Sequence, residues 1–475
     1  MKNVLSRIAL LCLAFGASAL AAAELPGGQV WLQHVQRDLL PFWSTPAAMG
    51  RPVGNFPTFR CNDGSAFVLE APCDELKSPP AWIKPELARD YVRMQARQTY
   101  AYGVAFNLTG EQRWLDLAKA GARRTLALLD PAAGAPTWFE QGRGGPAPEA
   151  RTAQDQSYAV VGIAMLYYLT RDEALERALI AHQRYIFERY WDEAWGMLRW
   201  VPQGGPQEEA AKQELVAQLD QLNAYMLLVV PYLPPAARDV WHRDIRRVAN
   251  TLIKQFHDPA SGTFFGTLER GEESRRAGAR HNDFGHTIKA YWMLMLAGRE
   301  LGDAELERFG REGGLAILDK AWNADSAAWA SGWRAYGIDK AKSWWIYAEL
   351  DQMASFMALE RPELRKRLAS SWDFWLKKQT APNGGEVYGW VDQNGVAPPN
   401  SLRIHHWKSG YHSFEHALVS YLTAQALAGK TGRLYFAAGD RSTDFRPYLL
   451  PGKVGKLRSE SGRQVVEFVI PVAGK

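Results

Sequence analysis

Six times along the chain an apolar run ends in a leucine, a short polar or Pro/Gly turn follows, and a second run begins. The turns are Leu108-Thr109-Gly110-Glu111, Leu169-Thr170-Arg171-Asp172, Leu233-Pro234-Pro235, Leu301-Gly302-Asp303, Leu359-Glu360-Arg361-Pro362 and Leu427-Ala428-Gly429. These leucines lie 61, 64, 68, 58 and 68 residues apart, a spacing that marks one supersecondary unit repeated. Before the turn the run is small and apolar, as in AQDQSYAVVGIAMLYYL; after it charges recur on one face, as in EQRWLDLAKAGARRTLALL. Each unit therefore predicts a helical hairpin with one inner and one outer helix. An open stack of six hairpins would need polar caps at its ends, and none is visible, so the pattern predicts an all-α chain closed as an (α/α)6 barrel over residues 84–430. Residues 24–83, with scattered Pro and Gly, form a lead-in segment. LYFAAGD at 434–440 and RQVVEFVIPV at 463–472 predict a short β appendage within 431–475. The chain is one catalytic domain with additions at each end.

Against this apolar background, certain polar residues on the inner helices stand out, because a buried helix should not carry them without partners. Arg97, Asp155, Asp220, His286, Glu349 and His412 lie 11, 14, 13, 15, 10 and 15 residues upstream of their turn leucines. At 1.5 Å rise per residue this puts all six within about 8 Å of one depth, toward the N-terminal ends of the inner helices. One central cavity should gather them, joined by Asn223 and Lys289 on the same helices. A single capping Asp or a satisfied core His is ordinary; six coincidences at matched depth are not.

Composition sharpens the picture. Trp, Tyr and Phe number 19, 18 and 19 in 475 residues, which excludes coiled-coil and low-complexity readings and suits a ring whose mouth presents aromatic planes to sugars. The net charge of +5, spread along the chain, leaves no footprint for nucleic acid. The first residues read as a secretory signal peptide, with Lys2 and Arg7 ahead of an apolar run and then Ala21-Ala22-Ala23, so 1–23 should be removed and the protein be periplasmic or secreted. No later run is long enough to span a bilayer. Cys61 and Cys73 then remain as an even pair in an oxidising compartment, which predicts a disulfide.

There is no C-x-x-C, no His-Glu-x-x-His, no P-loop and no nucleotide fingerprint, so neither a metal nor a cofactor is expected. Two histidines facing each other across a pocket suit proton transfer at a carbon next to a carbonyl, one as base and one as acid. Arg97, Lys289 and the tryptophans would hold the substrate and a developing enolate oxygen. Trp407, His405, His406, Trp333 and Tyr336 fall in loops at the expected mouth. His281 and Asp283 stand just ahead of His286, with Asp283 read as a helix cap.

At these residues the chain resembles the N-acylglucosamine 2-epimerase family, which includes cellobiose 2-epimerases and mannose isomerases. The matching stretches are Gly54 to Phe59 with Asn62-Asp63-Gly64, Gln95 to Tyr100 with Leu108 to Gly110, Gly285-His286, Trp344 to Glu349, and Tyr411-His412, spread over about residues 50–430. The resemblance implies an (α/α)6 barrel and cofactor-free proton transfer at C2 of an open-chain sugar through an enediolate. His286 and His412 match its acid/base histidines and Arg97 its substrate arginine. The expected substrate-binding set is Arg97, Tyr100, Asp155, Asp220, Asn223, Lys289, Trp344, Trp345, Glu349 and Trp407. The chain departs from the family where Lys289 replaces a Glu, where Asp220 and Asn223 replace a His-bearing motif, and at Glu415-His416. The expected partner is a mono- or oligosaccharide, with Lys289 and Arg97 together suggesting an acidic one, and the assembly a monomer or homodimer. A polysaccharide lyase or glycoside hydrolase on the same barrel, kept open by Asp155, Asp220 and Glu349, is one alternative. A non-catalytic glycan-binding protein is another.

Overall fold

The computed structural model describes residues 24–140, 151–439 and 444–474. The expected signal segment at 1–23 and Asp440 of the first expected strand lie outside them. The chain is an (α/α)6 barrel. Its inner helices are Val92–Thr109; Ala153–Ala159 continuing as Val161–Thr170; Leu215–Gln221 continuing through a π turn to Leu227–Val229; Phe284–Leu301; Trp344–Glu360; and Tyr411–Leu427. Consecutive inner helices touch, and the sixth packs on the first, closing the ring. They are buried on nearly every face, whereas the outer helices, such as Gln112–Leu128 and Glu173–Tyr190, bury one stripe only.

The recurring turn has a local cause. Gly110 and Gly302 end their helices in the left-handed conformation (φ 70° and 65°), which costs a glycine nothing. Asp172 and Asp303 then cap the following outer helices with side-chain oxygens.

The sixth hairpin departs from the repeat. No outer helix follows Leu427; the chain runs instead into strand Gly432–Phe436. The sixth outer position is filled by residues 28–43, a helix with a π turn at Val35–Leu39, which packs on Tyr411–Leu427. Trp31 and Trp43 on it are fully buried, each contributing roughly 4–6 kcal/mol of gross transfer free energy. Trp43 Nε1 also donates to buried Glu386 at 2.6 Å. The ring is thus closed by joining the two ends of the chain.

Residues 46–91 form a collar on the mouth side, with the Cys61–Cys73 disulfide in place. Its small core of Phe59, Phe67, Leu76, Ile83 and Leu87 also takes in Leu402, from the loop that leads into the sixth inner helix. At the other end the appendage is a three-stranded antiparallel sheet in the order Gly432–Phe436, Arg463–Val469, Lys453–Glu460. The edge strand Lys453–Glu460, six of whose eight residues are exposed, carries little hydrophobic signal and escapes the sequence pattern. The sheet segment meets the C-terminal ends of inner helices: Ala437 N–H donates to Leu169 O at 2.9 Å and Ala473 N–H to Leu359 O at 2.8 Å. This end of the barrel is floored, and the N-terminal ends of the inner helices open on the cavity. Among the described residues no helix is long and apolar enough to cross a membrane.

Candidate active site

The six polar positions fall in the first two turns of the inner helices, in an alternating register. Asp155, His286 and His412 are the third, third and second residues of the even-numbered helices; Arg97, Asp220 and Glu349 are each the sixth residue of the odd-numbered ones. The odd set is about one turn deeper. All of them except Glu349 line a cavity of about 640 Å³.

His286 is anchored by Asp283. Asp283 Oδ1 accepts the His286 backbone N–H at 2.8 Å, and Oδ2 meets Nδ1 at 2.7 Å. Burial pushes the Asp283 carboxyl up, but His286 opposite holds it below the usual carboxylate range. With Nδ1 bonded in this way, Nε2 is the nitrogen left for a substrate. The Trp345 ring packs on His286 at 4.6 Å and on His412 at 6.2 Å, so one indole stands against both imidazoles. Gly285 permits this: a Cβ there would come within 2.6 Å of the Trp345 ring. His412 is buried, with Nδ1 3.6 Å from Glu349 Oε1. Burial, reinforced by Lys289 and Arg97, holds its pKa well below the usual imidazole value, so it is neutral at physiological pH.

The deep carboxylates are engaged. Lys289 Nζ lies 3.0 Å from Glu349 Oε1 and 3.8 Å from Asp220 Oδ1. Desolvation opposes the ammonium, but these carboxylates outweigh it and raise its pKa, while Glu349, wholly buried, is raised by desolvation against the pull of Lys289. Asp220 also accepts from Tyr158 Oη (3.0 Å) and Gln154 Nε2 (2.8 Å). Asp155 accepts from Arg93, Thr152 and Thr137. Arg93, which the sequence reading passed over, lies between the Tyr91 and Trp407 rings at 3.9 and 3.7 Å; its position four residues before Arg97 on one helix face was the available clue.

Arg97 differs from every other cation of the wall. Arg93, Lys212, Arg280 and Lys289 each face a carboxylate. Among the described residues no carboxylate pairs with Arg97: it sits over the Tyr158 ring, donates to Trp407 O at 3.0 Å, and leaves its buried Nε without a partner. Lys289 is therefore committed to the protein, and the pairing of Lys289 with Arg97 as a double anion site is not what the structure builds.

Of the expected binding residues, Arg97, Asp155, Asp220 and Lys289 line the cavity, as do Trp344, Trp345 and Trp407. Glu349 lies beneath it, accepting from Trp292 Nε1 at 2.9 Å. Tyr100 and Asn223 do not reach it. Each is three residues after a lining residue, hence nearly a turn deeper; Tyr100 Oη meets Tyr448 Oη at 2.8 Å, and Asn223 Nδ2 donates to Tyr411 Oη at 3.3 Å. Asp283 is both the expected cap and the imidazole partner. At the rim, Trp333 packs on Phe284 and Tyr336 is 80% exposed at a hairpin tip. Among the described residues the one converging set of three His, Cys, Asp or Glu ligand atoms is Cys61, Cys73 and Glu75, whose sulfurs the disulfide occupies.

A floored (α/α)6 ring with a polar, tryptophan-lined mouth defines the class of protein. Residues 83–418 match the family described as N-acylglucosamine 2-epimerase (GlcNAc 2-epimerase), and the chain belongs to that family. Solved structures share the barrel. A cellobiose 2-epimerase from Bacillus thermoamylovorans B4167 is 16% identical, with a TM-score of 0.67, over 83% of this chain and 98% of that one. A D-mannose isomerase is 13% identical, with a TM-score of 0.65, over 83% and 97%. An α-1,6-mannanase from Salegentibacter sp. HEL1_6 is 11% identical, with a TM-score of 0.54, over 84% and 99%.

Proposed function

We propose that the protein is an exported sugar epimerase or isomerase that moves a proton at C2 of an open-chain sugar, with His286 and His412 as the acid/base pair. The observation that carries this reading is the two imidazoles packed on the one Trp345 ring at the mouth of a single cavity, beside Arg97, a guanidinium that no carboxylate pairs with among the described residues. One histidine takes the C2 proton, and the electron pair of the broken C–H bond moves to the aldehyde oxygen to give an enediolate, whose charge Arg97 stabilises. Return of a proton to the other face of C2 by the second histidine gives the epimer. Return at C1, with the O2 proton transferred to O1, gives the ketose. In the reverse reaction the histidines exchange roles.

The engagement of Asp155, Asp220 and Glu349 by neighbouring side chains favours this chemistry over glycoside hydrolysis, which needs two carboxyl groups directed at the scissile bond. A single free cation fits a developing oxyanion as well as it fits a carboxylated sugar, so the charge arrangement does not demand an acidic substrate. Incubation with a panel of aldoses and disaccharides in deuterated water tests the reading. Deuterium at C2 of the aldose or at C1 of a ketose product supports it; a new reducing end, an unsaturated uronate, or binding without any of these sinks it.

A further inference from the structure

We infer that Trp82, on the disulfide-bonded collar, forms a distal subsite that stacks on a further sugar residue of an oligosaccharide whose end occupies the cavity. The inference rests on the carbohydrate reading above. Trp82 is 54% exposed, and an indole offers a flat apolar face on which a sugar ring can stack. It is not an isolated ring. Its centroid lies 5.0 Å from that of His405 and 5.5 Å from that of His406. His405 lies in turn 5.9 Å from Trp344, and His406 and Trp344 both line the cavity. Aromatic faces thus continue from the cavity wall out to the collar surface. Both histidines are buried and held neutral, chiefly by burial, so uncharged rings back the exposed indole, whose face is the surface that sugar C–H groups prefer.

The collar is built to hold Trp82 in place. Ile83 N–H and Lys84 N–H both donate to Pro80 O, at 2.8 and 3.1 Å, and this turn sends Trp82 outward while Ile83 plugs the collar core. Asn62 clamps the collar to the mouth loop, donating to Ser401 O at 3.1 Å and accepting from Arg403 N–H at 2.8 Å. The family match begins at residue 83, so Trp82 and the disulfide lie outside it.

Calorimetry on the intact, oxidised chain with cello- and manno-oligosaccharides of two to five units tests the subsite. Affinity for at least one series should rise about tenfold between the disaccharide and the longer chains, as expected for one added stacking contact. Trp82→Ala should remove that gain without changing disaccharide affinity, and Trp82→Phe should keep most of it. An affinity independent of length in both series, failure of both to bind, or a length gain that survives in Trp82→Ala overturns the proposal. Deuterium exchange at C2 of short sugars, measured separately, reports on the chemistry: exchange without length dependence removes the subsite alone, and length-dependent binding through Trp82 without exchange removes the reaction alone.

Discussion

Asp283 holds His286 twice, through the backbone N–H at 2.8 Å and through the ring Nδ1 at 2.7 Å. One carboxylate therefore starts the fourth inner helix and fixes the tautomer and direction of the imidazole. The two tasks separate by substitution. Asp283→Ser keeps a capping oxygen and loses the ring partner, so its melting temperature should stay close to wild type while kcat for C2 exchange falls at least about tenfold. Asp283→Ala should lose both. Parallel thermal denaturation and exchange kinetics check the separation.

The Lys289–Glu349 pair, 3.0 Å apart and buried, should be costly to break on one side. Lys289→Met alone leaves the buried Glu349 charge uncompensated, worth about 3–5 kcal/mol; Glu349→Leu should cost less because Asp220 still faces Lys289, and the double variant should recover much of the Lys289→Met loss, which denaturant titrations can measure. The pair also bears on His412. Burial lowers the His412 pKa and Lys289 lowers it further, so this base stays unprotonated below pH 6.5. The acid limb of kcat/KM should lie below that value and move upward in Lys289→Met, which removes the cation that lowers it.

Among the described residues Arg97 is the one cation of the cavity wall without a carboxylate, which points to charge that develops during the reaction. Arg97→Met should lower kcat by about 10²–10³ with a smaller change in KM, the signature of a contact that strengthens in the transition state. Steady-state kinetics on the exchanging sugar decides it; an equal effect on KM alone would make Arg97 a binding residue only.

Glu415 gives a pH signature of the floor. Burial, then Glu349, push its carboxyl up to about 8, and Tyr448 donates to it. Because the folded value is raised, its stabilising contribution is complete below the ordinary value of 4.5 and is lost as pH rises through about 8. Glu415→Gln, neutral at every pH, should melt higher than wild type at pH 9, and the gap should shrink toward pH 6.

The barrel was legible because its signals are local and repeated. A helix capped by Gly110 or Gly302 and restarted by Asp172 or Asp303 announces itself in four residues. The sixth hairpin was not, since its two helices, residues 28–43 and Tyr411–Leu427, come from opposite ends of the chain and only packing brings them together. The depth count found most of the cavity. Tyr100 and Asn223, expected beside these residues, lie deeper because residues three apart on a helix share a face but not a level. Arg93 was missed because an arginine at the start of a helix resembles any solvated charge until Tyr91 and Trp407 are seen on either side of it. The partnership of Lys289 with Glu349 joins the fourth and fifth inner helices, a contact no single-helix pattern encodes.

The central claim is that His286 and His412 move the proton. The most direct measurement is deuterium incorporation at C2 of an accepted sugar in heavy water, for the wild type and for His286→Asn and His412→Asn, with circular dichroism confirming each fold. The account predicts incorporation by the wild type and a loss of at least about 10²-fold in each variant. Exchange at the wild-type rate by either variant would contradict it.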